Sequence, residues 1–151
     1  MKIDKTEIKI NGSKLKICIV LPYFNESIGL ELCKNAKEEL LANKVPEKNI
    51  KIVRTAGALE VPFACLKIIE KEKPDAIIAL GAIIRGETSH YDQVCTESYR
   101  GITDIQLKTG IPISFGILTC ENINQAKERA SKKGLNKGKD AALAALIQTS
   151  L

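Results

Sequence analysis

The stretch that decides the fold is DAIIALGAIIRGETSH, residues 75 to 90. From Asp75 to residue 84 it contains only glycine and apolar residues after the aspartate, many of them isoleucine, as expected of a strand buried on both faces. Arg85 and Gly86 end the apolar run, and hydroxyl residues then lead into a segment of helical period. A buried strand followed by a short polar loop and a helix is the repeating unit of a parallel α/β sheet.

The same unit recurs along the chain. Three further segments have the length and β-branched content of buried strands, at residues 15 to 21, 50 to 56 and 111 to 118. Helices are predicted from Asn25 or Glu26 onward and at about residues 59 to 71, 89 to 108, 121 to 130 and 139 to 151. Apolar stripes are expected on the first helix, at Ile28, Leu32, Ala36 and Leu40, and on the third, at Tyr91, Val94, Cys95, Ser98, Ile102 and Ile105. Strict alternation of strand and helix predicts the α/β class, as a flavodoxin-like three-layer αβα sandwich with a central parallel four-stranded sheet.

One domain is expected for residues 1 to 151, because a chain of 151 residues that is 44% apolar suits a single core. The segment TEIKING, residues 6 to 12, precedes the first strand-helix unit. It is expected to form a short edge strand within an N-terminal arm of residues 1 to 13. That strand could also pair with the sheet of a neighbouring subunit.

Composition argues against several classes of protein. The N-terminal segment is charged and the longest uncharged apolar run is far shorter than a bilayer span, so no membrane association and a cytoplasmic location are predicted. Five scattered cysteines without a CxxC pair, and one histidine, favour buried thiols over a metal site. The net charge of +5 is spread over many segments and tryptophan is absent, which disfavours nucleic-acid binding.

The loop RGETSH has the features of an anion site, because ligands of parallel sheets bind outside the carboxyl ends of the strands. Gly86 permits close approach, and the amides of Glu87 and Thr88 lie at the amino end of a long predicted helix. Taken alone, Thr88 and Ser89 are explained more simply as helix caps. His90 is not explained by capping: a first-turn imidazole beside an anion can move protons near neutral pH, the alternative being a partly exposed surface histidine.

Two other loops at the same edge carry candidate binding residues. Phe24 could stack on a planar heterocycle, with Asn25 as a hydrogen-bonding group or helix cap. Gly57 and Ala58 leave backbone groups accessible, and Glu60 could hold the hydroxyls of a polyol chain. The structural alternative for Phe24 is a phenylalanine of the core, and that for Glu60 is a favourable charge at a helix amino end.

Two basic residues lie near the polar turn between the last two predicted helices. Arg129 and Lys137 mean little as isolated cations. Together with an anion cradle they could complete a phosphate clamp, since a guanidinium fork matches phosphate geometry.

The blocks FNE, GALEVP, GAIIRGETSHYD, PISFGILT and ERA…NKG, in this order and spacing, resemble the 6,7-dimethyl-8-ribityllumazine synthase family from about Leu15 to Leu151. GAIIRGETSHYD is highly specific. The resemblance implies the penultimate step of riboflavin biosynthesis. In that step 5-amino-6-(D-ribitylamino)uracil condenses with 3,4-dihydroxy-2-butanone 4-phosphate, releasing phosphate and water without a metal or organic cofactor.

Matching positions imply a role for each site residue. His90 is expected to transfer protons, and Phe24 to stack on the pyrimidine. Glu87, Thr88 and Arg129 are expected to bind the phosphate, with Lys137 near the bound ligand and Phe115 closing the pocket from an adjacent subunit. The ring and the ribityl chain are expected to meet Ala58, Leu59 and Glu60, and the ring to bind the backbone of Ala82, Ile83 and Ile84. Asn25 and Gly57 are further candidate substrate-binding residues. Leu59 stands where phenylalanine is common in the family, so weaker uracil binding is expected there.

The resemblance also implies pentamers, alone or assembled into decamers or icosahedral capsids, with active sites between subunits and riboflavin synthase as a candidate partner. The short turn between the last two helices favours a capsid. Two alternatives share the fold. An archaeal-type riboflavin synthase would use two lumazine molecules and would have no butanone phosphate to hold at RGETSH. A non-catalytic flavodoxin-like module would bind a phosphate or flavin without turnover.

Overall fold

The computed structural model describes residues 10 to 151, which form four strands and five α-helices. In chain order these are β1 (Ile17–Pro22), α1 (Glu26–Ala42), β2 (Ile50–Thr55), α2 (Val61–Glu72), β3 (Ala76–Ile84), α3 (His90–Thr109), β4 (Ile113–Cys120), α4 (Ile123–Ala130) and α5 (Lys137–Gln148). Single 3-10 turns at Glu47–Asn49 and Ala58–Glu60 precede β2 and α2.

The four strands form one parallel sheet in the order β2-β1-β3-β4. The prediction of an α/β sandwich with a parallel four-stranded sheet is confirmed. Because β2 lies on one side of β1 and β3 on the other, the strand order reverses between β1 and β3. In open α/β sheets this switch point is where the loops diverge and leave a crevice for a ligand.

Both faces of the sheet are covered, so the central strands have little exposed surface. Every residue of β1 is buried, and so is every residue of β3 except Ile84, which is half-buried. Alternate residues face opposite sides. Ile19 and Ile78 pack into the core beneath α1, α4 and α5, whereas Val20 and Ile77 pack into the core beneath α2 and α3.

Helix α1 follows the predicted apolar stripe, with Ile28, Leu32, Ala36 and Leu40 all buried. On α3 the stripe is only partly confirmed: Ser98 and Ile102 are buried, whereas its other members are half-buried. Helix α3 ends at Gly110, whose φ of 71° places it in the left-handed region that favours glycine at a helix end.

Element ends differ from the predictions by a few residues. The second predicted helix begins instead as a 3-10 turn at Ala58, and the α-helix starts at Val61. Strand β4 continues to Cys120 because its pairing with β3 runs on to Ile84. These shifts keep the predicted loops at the carboxyl edge of the sheet.

The predicted edge strand at residues 6 to 12 lies mostly outside the described residues. Its last three residues, from Ile10 to Gly12, are not in a strand. The Gly12 N–H donates to the Asn43 carbonyl (2.7 Å), which ties this segment to the end of α1. Between residues 10 and 151 no helix is long and apolar enough to cross a bilayer.

Candidate active site

The loops that follow β1, β2 and β3 meet around a cavity of about 470 Å³ at the carboxyl edge of the sheet, here called the first cavity. Ten of the predicted site residues line it: Phe24, Gly57, Ala58, Leu59, Glu60, Ala82, Ile83, Ile84, Thr88 and His90. Asn25 and Glu87 are neighbours in sequence of lining residues but do not line the cavity themselves.

Residues just beyond β1 present an aromatic face to this cavity. The Tyr23 N–H donates to the Thr55 carbonyl (2.8 Å) and the Phe24 N–H to the Ala56 carbonyl (3.1 Å), so the loop continues the pairing with β2. This anchoring leaves the Phe24 side chain 72% exposed. A large exposed ring on a fixed backbone is a suitable surface for stacking a planar ligand.

Asn25 joins the loop after β1 to strand β3. Its backbone lies in the left-handed region (φ 54°), and its side-chain amide donates to the Ala82 carbonyl (2.8 Å). Its own side chain makes no capping bond to α1. The Asn25 amide therefore holds the loop after β1 against the end of β3.

The end of β3 is separated from β1 by a local backbone distortion. Pairing between these strands extends only to Val20 and Ala79. Gly81 has a φ of 150°, and a side chain there would approach the Pro22 ring to 3.3 Å. The crevice opens beyond this point, and the Asn25 amide occupies one main-chain acceptor on that side of β3, the Ala82 carbonyl.

The loop after β2 is closed by Glu60. One oxygen of its carboxylate accepts the Gly57 N–H (2.8 Å), which completes the 3-10 turn that leads into α2. Leu59, within this turn, is one of the exposed large apolar residues. Glu60 thus shapes the cavity wall while its other oxygen has no protein partner among the hydrogen bonds of the described residues.

Residues 85 to 90, which lead from β3 into α3, are all exposed. Ser89 stands at the cap position without a side-chain capping bond, and the Thr88 hydroxyl instead accepts the His90 N–H (3.3 Å). A side chain built on Gly86 would meet nothing within 4 Å, so the backbone is open to a ligand there. The amino end of α3, a helix of 20 residues, thus faces the cavity, and the N–H groups of residues 87 to 89 have no acceptor among the hydrogen bonds of the described part of the chain.

Phe115, Arg129 and Lys137 do not join His90 within one chain. They line a different cavity of about 490 Å³, here called the second cavity, formed by β4, α5 and neighbouring side chains. Phe115 stacks on Tyr99 with ring centroids 3.7 Å apart. The Lys137 Nζ lies 3.0 Å from the Asp140 carboxylate.

Several lining residues are not among those predicted for the site. Tyr91 and Val94 line the first cavity, whereas their spacing predicts an apolar stripe on α3. Val94 is four residues beyond His90, on the same side of α3, and this spacing could have identified it. Tyr99 and Asp140 line the second cavity, and Asp140 could have been found three residues after Lys137.

A flavodoxin-like sheet with an aromatic ring, a helix amino end and one imidazole around its switch-point crevice is typical of α/β enzymes that act on small molecules. The family model for 6,7-dimethyl-8-ribityllumazine synthase matches residues 14–151. The chain therefore belongs to the lumazine synthase family.

Family membership gives the chain the function of lumazine synthesis, a transferase-type condensation of 5-amino-6-(D-ribitylamino)uracil with 3,4-dihydroxy-2-butanone 4-phosphate. This is the penultimate step of riboflavin biosynthesis. Family membership also implies small-molecule substrates and a homo-oligomer. The predictions of family, fold and function are thereby confirmed.

Proposed function

We propose that each active site of this lumazine synthase forms between two subunits, with the first cavity of one chain facing the second cavity of its neighbour. The observation that carries the proposal is a division of charge. No lysine or arginine of the described residues lines the first cavity, whereas Arg129 and Lys137 line the second. A phosphate substrate is bound most strongly where cationic donors and backbone N–H groups converge.

The uracil substrate is assigned to the first cavity. Its ring would stack on Phe24 and bond to main-chain groups of Ala82 to Ile84. Its ribityl hydroxyls would meet the turn at Ala58–Glu60, where the Glu60 carboxylate can accept hydrogen bonds. Phe115 of the neighbouring chain would cover the ring from the other side.

The phosphate of the butanone substrate is assigned to the amino end of α3. An ionised Glu87 side chain can only accept hydrogen bonds and would repel the phosphate, so its main-chain N–H is the group expected to donate. The Thr88 hydroxyl and N–H would complete this side. Arg129 of the neighbouring chain would close the site with its guanidinium fork, and Lys137 would add a second positive charge.

His90 is assigned to proton transfer. Imine formation between the aryl amine and the ketone, loss of phosphate and ring closure each require protons to move, and an imidazole can both accept and donate them. Holding the two substrates in register supplies much of the remaining acceleration, since effective molarity is worth roughly 7–11 kcal/mol. These steps require no organic cofactor or metal.

The assembly is proposed to be built from pentamers, as the resemblance to the family implies. In a closed ring, heterologous contacts would place the first cavity of each chain against the second cavity of the next. Decamers and icosahedral capsids are larger forms of the same arrangement. Delivery of the product to riboflavin synthase and a cytoplasmic location are further proposals.

Mixing the purified chain with both substrates tests the reaction. The expected result is the absorbance of the lumazine chromophore, with one phosphate released per chromophore formed. Product formation from lumazine alone would instead indicate a riboflavin synthase. Binding of both substrates without turnover would indicate a non-catalytic module, and either result would overturn the proposal.

A further inference from the structure

Arg85, the first residue after β3, lies between three elements at the edge of the first cavity. Its Nε donates to the Glu121 carboxylate (2.7 Å), just beyond β4. Its Nη1 lies 3.4 Å from both oxygens of Asp92, in the first turn of α3, a longer ion pair. Its guanidinium also stacks over the Tyr91 ring, 4.2 Å from the centroid. The Arg85 backbone N–H donates to the Cys120 carbonyl (2.9 Å).

These contacts span the loop that leads into α3. Residues 86 to 89 are exposed, so packing does little to fix them. Among the described contacts, the side chains of these residues make one hydrogen bond with the amino end of α3, in which the Thr88 hydroxyl accepts the His90 N–H. Arg85 lies before this loop and Asp92 after it, so the ion pair joins its two ends. Glu121 then attaches the pair to the end of β4.

The alternative role for Arg85 is direct binding of the phosphate, since it is a cation next to Gly86. The arrangement argues against this role. Arg85 does not line the first cavity, whereas Tyr91, on which it stacks, does. The hydrogen bonds that Arg85 donates to Glu121 and then to Asp92 raise its pKa, and they engage the guanidinium with two carboxylates.

We propose that Arg85 is a positioning residue of the lumazine synthase site: held by Glu121 and Asp92 and stacked on Tyr91, it fixes the loop whose N–H groups receive the substrate phosphate. The inference rests on the proposed function. Small displacements of binding groups have large effects on turnover and affinity, because the substrate must be held within a narrow geometry.

A double-mutant cycle between Arg85 and Glu121 distinguishes the two roles. We expect Arg85→Gln to raise the KM for the butanone phosphate roughly tenfold, with a smaller change in the KM for the uracil. Glu121→Ala should raise the same KM to a similar extent, because it releases the same guanidinium. The double variant should be little worse than either single one, since the two residues act as a unit. Arg85→Lys should be intermediate, because an ammonium lacks the fork that reaches both carboxylates.

Arg100 and Glu97 provide a matched control on the same helix. Arg100 also pairs with two carboxylates, Glu97 and Asp104, and lies outside both cavities. Arg100→Gln and Glu97→Ala are expected to leave both KM values unchanged. Gel filtration of every variant establishes that the assembly is intact.

Two outcomes would overturn the inference. If Arg85→Gln raises the KM for the phosphate substrate while Glu121→Ala leaves it unchanged or lowers it, Arg85 binds the phosphate directly. If Arg85→Gln has wild-type kinetics, Arg85 does not position the loop. If Arg85→Gln fails to assemble, the KM of Glu121→Ala for the phosphate substrate alone distinguishes the two roles. An assay of the wild-type chain distinguishes these results from a failure of the proposed function. If the proposed function is wrong, the wild-type chain forms no lumazine.

Discussion

The two cavities of the chain have complementary chemistry. The first cavity combines an exposed aromatic ring, strand backbone, a helix amino end and the imidazole of His90. The second combines the stacked pair of Phe115 and Tyr99 with the cations of Arg129 and Lys137. One can hold a ring and move protons, and the other can neutralise an anion. The division supports the proposal that a single chain supplies two different halves of a site.

Replacing His90 should give the largest effect, because it removes the only imidazole from the first cavity. His90→Ala is expected to lower kcat by roughly 10²-fold or more, the usual contribution of general acid–base catalysis. The exposed side chain makes little contribution to packing, so the thermal midpoint and the oligomer size should not change. Gln93→Ala, an exposed change one turn further along α3, is the control. Full activity in His90→Ala would remove the imidazole from the mechanism.

Replacing Arg129 tests the second cavity. Arg129→Ala is expected to raise the KM for the phosphate substrate about 10- to 150-fold, because hydrogen bonds to charged groups contribute about 1.5–3 kcal/mol. The KM for the uracil should change much less. Lys127→Ala removes a charge from the same helix outside the cavity and should have little effect. An unchanged KM in Arg129→Ala would exclude its guanidinium from the phosphate site.

Phe24 sharpens the comparison from the side of the uracil substrate. Phe24→Ala should weaken uracil binding roughly 2- to 10-fold, because a stacked aromatic contact contributes about 0.5–1.5 kcal/mol beyond its buried area. The KM for the phosphate substrate should be nearly unaffected. Phe63, exposed on α2 away from both cavities, provides the matched control in Phe63→Ala. Equal losses in the two variants would indicate a general effect of apolar surface.

The smallest expected effect is on the pH dependence of the free energy of unfolding, through buried thiols of the core beneath the first cavity. Burial raises the pKa of Cys65 to about 12 and that of Cys18 to about 11, from an ordinary value of 9.0. Because the folded state retains these protons where the unfolded chain releases them, the free energy of unfolding should fall as the pH rises from about 9 towards 12. The thiols have no such effect at lower pH.

Denaturant unfolding at about pH 8 and about pH 10.5 measures this dependence. Cys65→Ala is expected to lose part of the alkaline destabilisation, whereas Cys95→Ala, which changes a half-buried thiol, should lose less. An identical pH dependence in Cys65→Ala and the wild type would show that the buried thiol does not contribute.

Local pattern was sufficient to predict the sheet and the edge on which the first cavity lies. The apolar run of β3, its abrupt end at Arg85 and the hydroxyl residues before His90 are properties of consecutive residues, and parallel topology then brings loop ends together. The pattern could not reveal that the Asn25 amide bonds to Ala82 or that Arg85 spans its loop to Asp92. Those contacts depend on how separate strands and a helix end cross in three dimensions, and periodicity carries no information about such distances.

The same limit explains the separation of the basic residues. Arg129 and Lys137 are close in sequence and lie on opposite sides of one turn, so their joint role could be inferred. Their distance from the first cavity could not be inferred from the sequence. It depends on the packing of α5 beside β4, and β4 lies at the opposite edge of the sheet from β2.

Co-expression of His90→Ala with Arg129→Ala tests the shared site most directly. Each variant lacks a different half, so in mixed rings about a quarter of the interfaces should pair an intact first cavity with an intact second one. At limiting phosphate substrate, activity is expected to rise to about a quarter of the wild-type value, above either variant alone. Activity no greater than the average of the two separate variants, in particles shown to contain both chains, would contradict a site built between subunits.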